Sequence, residues 1–275
     1  MRYKYGFIGT GNMGSALARA VVKECPQNEI ALANRSSVKV ETLSDEIGGM
    51  VLDNESLCES SRFILLCVKP QMLENLMPTL KTALLKNFDD TGIKPVLITP
   101  AAGVTMDTVL SLTGITEWPV IRIMPNTPVS IGDGVILATK NTFVADDDFS
   151  TFVSDFSAAG IVEILPEELI DAASVISGCG PAYIYMYIDA LAKAGQQLGL
   201  SREMAENLAK ATARGSAALS MASDESLETL RERVCSPGGS TIEGVKSFIT
   251  SDLDKVVEKA LAAAYNRTKE LAEGK

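Results

Sequence analysis

An apolar run, Tyr3–Ile8, passes straight into Gly9-Thr10-Gly11-Asn12-Met13-Gly14 and from there into an amphipathic stretch. No other segment restricts the fold as strongly. The glycines keep G-x-G-x-x-G spacing between a predicted strand and a predicted helix, and each has its own physical task. Gly9 permits a tight turn, Gly11 lacks the Cβ that would hold an anion away from the backbone, and Gly14 lets the helix lie close to the strand. The amides of Asn12 and Met13 then open a helix N-terminus, where anionic groups are favoured. The spacing predicts a dinucleotide-binding turn at the head of an open α/β sheet.

The rest of the first 165 residues suits that start. Apolar runs at Tyr3–Ile8, Glu29–Ala33, Phe63–Val68, Pro95–Thr99 and Val120–Met124 read as strands, several apolar enough to be covered on both faces. Helical periodicity lies between them at Met13–Lys23, Val38–Ile47 and Met72–Lys86. Beyond Pro166 strand signals stop and helices follow one another. The expected architecture is α/β: an N-terminal Rossmann-type doubly wound sheet over residues 1–165, then a C-terminal all-α dimerisation domain over 166–275. Ala182–Leu198 is apolar on nearly every side, with Asp189, Lys193, Gln196 and Gln197 as its polar breaks. A helix apolar all round must be buried, so a second subunit is expected to cover it; a monomeric bundle is the alternative. Leu253, Val256, Val257, Ala260, Leu261 and Ala264 put one apolar stripe on the last helix.

The second strand speaks to the cofactor. NAD-binding units place an acid at its end, about 20 residues past the glycines. That place holds Asn34, followed by Arg35, Ser36 and Ser37. A carboxylate would repel a 2′-phosphate, whereas an amide, a guanidinium and hydroxyls accommodate one. NADPH is therefore the expected cofactor, with NADH weaker; a merely solvated Arg35 is the competing reading. Cys67–Pro70 and Thr99–Gly103 end two further buried strands, on the side where ligands bind in such sheets. Ala101, Ala102 and Gly103 are small enough to let a flat ring approach. Lys69 reads equally as a cofactor contact and as a surface lysine beside Pro70.

Composition removes whole classes of chemistry. The chain has no histidine among its 275 residues, which excludes Ser-His-Asp and Cys-His nucleophiles and any His-based zinc site; no metal is expected. A net charge of −10 argues against nucleic acid or an acidic membrane as partner. Five cysteines with no C-x-x-C pair suit a reducing compartment. With no leader segment and no run of about 18 uncharged apolar residues, a cytoplasmic location off the membrane is expected.

Late in the chain stands Val234-Cys-Ser-Pro-Gly-Gly-Ser-Thr-Ile-Glu-Gly244. Ser240 to Glu243 fits S-x-x-E, a capping box. Free amides at Gly239, Ser240 and Thr241 would then seat an anionic group, with Gly238 and Gly239 clearing the approach. The alternative is that Ser240 and Thr241 only cap the helix.

Taken together, "FIGTGNMG", "VKPQ", "AAGVT", "RIMPNTP", "SGCGPAY" and "VCSPGGSTIEG" resemble the 1-pyrroline-5-carboxylate reductase family over essentially the whole chain. The resemblance implies NADPH-dependent reduction of a cyclic imine, 1-pyrroline-5-carboxylate, to L-proline. It also implies an intertwined dimer, in some members assembled into a ring of five dimers. It assigns Ile8, Gly9, Thr10, Gly11, Asn12 and Met13 to the pyrophosphate and Asn34, Arg35 and Ser36 to the adenosine-phosphate end. Asn54 matches a cofactor-contacting asparagine. Cys67, Val68, Lys69, Pro70, Pro100, Ala101 and Ala102 match the ribose and nicotinamide loops. Glu167, Ser240 and Thr241 match substrate contacts, with Val234 and Gly239 nearby, and Thr241 is the expected catalytic residue, a positioning donor to the ring nitrogen. Cys179, Pro100 and Asp224 depart from the common pattern. A reductase for a six-membered cyclic imino acid and a non-catalytic cofactor sensor are the rival readings. A β-hydroxyacid dehydrogenase would need a lysine near the start of the helix after "SGCGPAY", and the first lysine there is Lys193.

Overall fold

The computed structural model describes residues 1–272, so the last three positions of the expected 166–275 domain lie outside the described residues. The described chain divides into two compact units: residues 1–179 together with residues 265–272, and Gly180–Ala264.

The first unit holds eight strands: β1 Tyr3–Ile8, β2 Ile30–Ala33, β3 Met50–Val51, β4 Ser61–Leu66, β5 Val96–Thr99, β6 Val120–Pro125, β7 Gly134–Lys140 and β8 Gly160–Ile164. They lie in the order β3-β2-β1-β4-β5-β6-β7-β8. All neighbours run parallel except β6 and β7. Its helices are α1 Asn12–Val21, α2 Ser37–Ile47, α3 Asn54–Ser60, α4 Pro70–Thr91, α5 Met106–Thr113, α6 Asp146–Asp155 and α7 Glu167–Ser177. The strand sequences explain why both faces are covered. Ile30, Leu32, Phe63, Leu65, Val96 and Ile98 face one core, while Ala31, Ala33, Ile64, Leu66 and Leu97 face the other. Side chains that alternate between two apolar layers are the mark of a sheet sandwiched by helices.

The five expected strands form, and three more appear. β3 is two residues long, β8 is half open to solvent, and β7 returns antiparallel after a short 3-10 turn, Thr127–Ile131. The strand expected at Phe63–Val68 ends at Leu66. Cys67 and Val68 follow as loop, after the Cys67 amide donates to the Ile8 carbonyl at 2.8 Å. The helix expected at Met72–Lys86 is longer, opening on Pro70, which needs no amide partner there, and closing on Gly92 at φ +70°.

The second unit is helical, with α8 Gly180–Gln197, α9 Arg202–Met221, α10 Leu227–Arg233, α11 Ser240–Thr250 and the first part of α12, Leu253–Ala272. α8 and α9 pack together, and a Cβ on Gly195 would come within 3.1 Å of the Ala205 Cβ. Among its described residues, Ala192, Ala205 and Ala209 are the only buried apolar side chains. Ile184, Tyr185, Met186 and Tyr187 are all exposed. The unit has almost no core of its own.

Candidate active site

The turn after β1 is built as its glycines require. Gly9 sits at φ +98°, and a Cβ there would lie 2.7 Å from the Cys67 carbonyl oxygen. A Cβ on Gly14 would fall 2.1 Å from the Gly9 oxygen, so α1 presses against the turn itself. A Cβ on Gly11 would meet nothing, because Gly11 borders open space at the N-cap of α1. Asn12 and Met13 are the first two helical residues, and their amides have no intrahelical acceptor. The Ser15 hydroxyl donates to the Thr10 carbonyl at 3.0 Å and braces the loop. Thr10 is buried, and its hydroxyl has no partner among the described residues.

Two adjoining pockets open from this turn. One, about 270 Å³, runs from Gly9 and Gly11 to Arg35, Ser36, Lys39 and Lys69. None of these three cations is ion-paired among the described residues. Ser36 is the N-cap of α2 but makes no side-chain cap bond, which leaves its hydroxyl available. The Asn34 amide donates to the Ser36 carbonyl at 3.3 Å and shapes the turn. Unspent cations, a helix N-terminus and a bare glycine fit a dinucleotide with an extra phosphate. The second pocket, about 380 Å³, is lined by Leu52, Asn54, Val68, Met72 and Leu76, an apolar slot suited to a flat base. Asp53 also borders it but is occupied as the N-cap of α3, where the Ser56 amide holds its carboxyl below the usual range. Burial pushes the Cys67 thiol up to about 12, so Cys67 contributes shape rather than a thiolate. Lys39, Leu52, Met72 and Leu76 were not among the residues expected from sequence. Lys39 had a readable signal, one helical turn beyond Arg35 and Ser36; the three apolar residues had none.

At the far side of the glycine turn lies a cleft of about 290 Å³, lined by Met13, Ala102, Gly103, Asn126, Asp171 and Ser174 among others. Gly103 at φ +72° and the neighbouring alanines keep the loop thin. Ala101 is buried, its amide donating to the Thr99 hydroxyl at 3.3 Å, whereas Ala102 is exposed and Pro100 half-buried. Asn126 is fully used: its amide donates to the Ser177 carbonyl at 3.0 Å and its oxygen accepts the Val135 amide at 2.9 Å. Glu167, expected to meet substrate, spends Oε1 on the Met106 amide at 2.9 Å, with Arg122 at 3.5 Å.

The remaining substrate candidates fall together in the second unit, on a single segment. Gly238, at φ +73° after Pro237, and the Gly239 amide donating to the Ser236 carbonyl at 3.0 Å form a tight turn into α11. The capping box does not form. Gly239 is the N-cap, with no side-chain cap bond; Ser240 is already helical, and Glu243 pairs with Lys246 at 2.8 Å. The turn is the cause: with the Gly239 amide spent on it, the free donors move on by one residue, to Ser240, Thr241 and Ile242. Ser240 and Thr241 are exposed, and Val234, the C-cap of α10, is exposed as well. Three outward amides and a hydroxyl can hold a carboxylate and one further acceptor. Lys193 is paired with Asp189 at 2.6 Å and so is not a free catalytic amine.

Residues 167–271 match the family described as pyrroline-5-carboxylate reductase dimerisation, and residues 4–87 match the one described as NADP oxidoreductase, coenzyme F420-dependent. The pyrroline-5-carboxylate reductase of Arabidopsis thaliana is 32% identical over 98% of this chain and 96% of its own. The structure of a pyrroline-5-carboxylate reductase from Coxiella burnetii superposes with a TM-score of 0.91 at 32% identity, covering 98% of this chain and 99% of that one. That of the Plasmodium falciparum pyrroline carboxylate reductase, solved with NADP bound, gives 0.84 at 29%, covering 98% of each. The chain belongs to the pyrroline-5-carboxylate reductase family.

Proposed function

We propose that this protein is an NADPH-dependent oxidoreductase that reduces 1-pyrroline-5-carboxylate to L-proline, the last step of proline biosynthesis. The observation that carries the reading is the likeness over 98% of the chain to reductases of that name. NADPH, when bound, supplies hydride to the imine carbon.

The chain's own residues bind and position. The loop Ile8–Met13 holds the pyrophosphate through the amides of Asn12 and Met13. Asn34, Arg35 and Ser36 take the 2′-phosphate, with Lys39 beside them, and Asn54 closes the adenosine slot. Cys67–Pro70 and Pro100–Ala102 border the ribose and nicotinamide. In the second unit the first-turn amides of α11 seat the substrate carboxylate, which favours it by about 0.3–2 kcal/mol from the helix dipole. Gly239 and Val234 shape that seat, and the Thr241 hydroxyl hydrogen-bonds the ring nitrogen. An iminium arrives already protonated, so the chemistry needs orientation at roughly 3–3.5 Å and exclusion of water rather than an acid–base pair. That suits a chain with no histidine.

The chain self-associates through its dimerisation region, and the finer reading is an intertwined dimer, five to a ring. We keep the functional boundary at 165/166: the last strand ends at Ile164 and the dimerisation match begins at 167. No helix among the described residues is long and apolar enough to cross a membrane, and we place the enzyme in the cytoplasm.

The test is a direct assay of NADPH oxidation with pyrroline-5-carboxylate, run beside the six-membered cyclic imine. Faster turnover of the five-membered ring is expected. Preference for the larger ring would move the substrate, and no turnover of either would remove the reading.

A further inference from the structure

Arg122, in β6, is the one cation buried among the described residues, at 4% exposure. A guanidinium out of water needs partners, and α7 brings two carboxylates. Nη2 donates to Asp171 Oδ1 at 2.7 Å, and Nη1 faces Glu167 Oε1 at 3.5 Å. The same Glu167 oxygen accepts the amide of Met106, the first residue of α5. One positive charge thus faces two negative ones, although a single acid would neutralise it. The surplus is not sealed in, because the Asp171 side chain is 29% exposed. Asp171 also lines the cleft shared by Met13, Ala102 and Gly103, and every other residue lining that cleft is uncharged.

We infer that Asp171, held by Arg122 as a positioning residue, places a negative field at the nicotinamide end of the cofactor cleft and so favours the oxidised, cationic ring over the reduced, neutral one. This rests on the function proposed above, which sets the nicotinamide beside Ala101 and Ala102. The field has a use in the forward reaction. As hydride passes to the imine carbon, the C=N π pair settles on nitrogen and the iminium loses its positive charge, while the dihydronicotinamide ring gains one. A carboxylate on the nicotinamide side stabilises the charge where it arrives. Arg122 keeps that carboxylate fixed, so no reorganisation is needed as the charge moves.

The test is an equilibrium measurement on the full chain without substrate. The dissociation constant of NADPH is read from nicotinamide fluorescence and that of NADP⁺ by calorimetry. Asp171→Asn is expected to raise the ratio Kd(NADP⁺)/Kd(NADPH) by about three- to tenfold, the effect of removing one charge several ångströms from another at an intermediate dielectric. Asp171→Glu, which keeps the charge, is expected to restore the wild-type ratio. Glu167→Gln leaves the short Arg122–Asp171 bond and an acceptor for Met106 in place while removing the surplus charge. It is therefore expected to fold and to shift the ratio in the same direction even if Asp171→Asn does not fold. A purely structural ion pair would change the melting temperature and leave the ratio alone. An unmoved ratio in Glu167→Gln and in any folded Asp171→Asn, with imine reduction by the wild type intact, overturns this inference alone. Failure of the wild type to bind either cofactor form overturns the functional reading along with it.

Discussion

Arg35 is the residue we propose chooses between the two cofactors, and its setting supports that role. It is exposed, unpaired and next to Ser36, whose hydroxyl is not spent on capping α2. An exposed arginine that makes no ion pair costs the fold nothing to remove, so its loss should register in binding rather than stability. Arg35→Ala is expected to weaken NADPH about tenfold or more and NADH hardly at all, because only NADPH carries the phosphate that a guanidinium grips through paired hydrogen bonds. Lys39→Ala should repeat the pattern at smaller size. Titration of both variants with both cofactors checks this, and an equal loss for the two would remove the 2′-phosphate contact. Perturbed groups elsewhere have another meaning. The Tyr5 hydroxyl donates to Asp155 at 2.7 Å, Lys4 meets the same oxygen at 2.7 Å, and burial holds Tyr5 well above its usual range and Cys25 at about 11. None of the four lines the cofactor pockets or the cleft. This cluster ties β1 to the end of α6; a shifted pKa alone does not mark a site.

At the scale of elements, α11 shows both what the chain announces and what it conceals. A helix start after Pro-Gly-Gly was legible, because glycines and a proline before an amphipathic run mark one. Which residue caps it was not, because S-x-x-E is satisfied on paper by Ser240 and Glu243 while the Pro237–Gly238 turn moves the cap to Gly239. The shift leaves the Thr241 hydroxyl with no capping duty. Thr241→Ala should therefore leave the helix intact and lower kcat by about 10- to 10³-fold, as expected for one aimed donor, with NADPH affinity unchanged. Thr241→Ser should recover most of the rate. Wild-type turnover in the alanine variant would return Thr241 to a bystander. The same division runs through the first unit. β1, α1 and the strands around them were readable because each is apolar on both faces or periodic over several turns. β3, α3 and α5 were not, since two residues carry no period and the short helices depend on local caps: Asp53 for the Ser56 amide, Thr105 for that of Thr108. Arg122 and Asp171 could not have been paired from spacing, because only the sheet order brings β6 under α7.

For the whole molecule, the helical unit sets the terms of stability. A region with three buried alanines as its apolar interior cannot offset the entropy of ordering five helices. The ion pairs it shows do not close that gap. Asp189, Lys193, Arg202, Glu206 and Lys210 form a ladder between α8 and α9, but its members are solvent-facing, where such pairs contribute little. What remains is the apolar surface itself: α8 presents Ile184, Tyr185, Met186 and Tyr187 in succession, and α12 adds Leu253, Val256 and Val257. Four successive exposed positions point to every side of a helix, so no single neighbour within the unit could have covered them. We propose that another copy of the chain covers this surface, which would make folding inseparable from association. Two consequences follow for the intact protein. Its melting temperature should rise with protein concentration. Met186→Asp should also shift sedimentation from dimer to monomer, because a lone carboxylate enclosed in apolar contacts costs several kcal/mol. Activity should fall in step with dissociation and recover partly at high protein concentration. If Met186→Asp sediments as the wild type does and keeps its activity, α8 is not the dimer core, and some other face must carry the association that the helical unit requires.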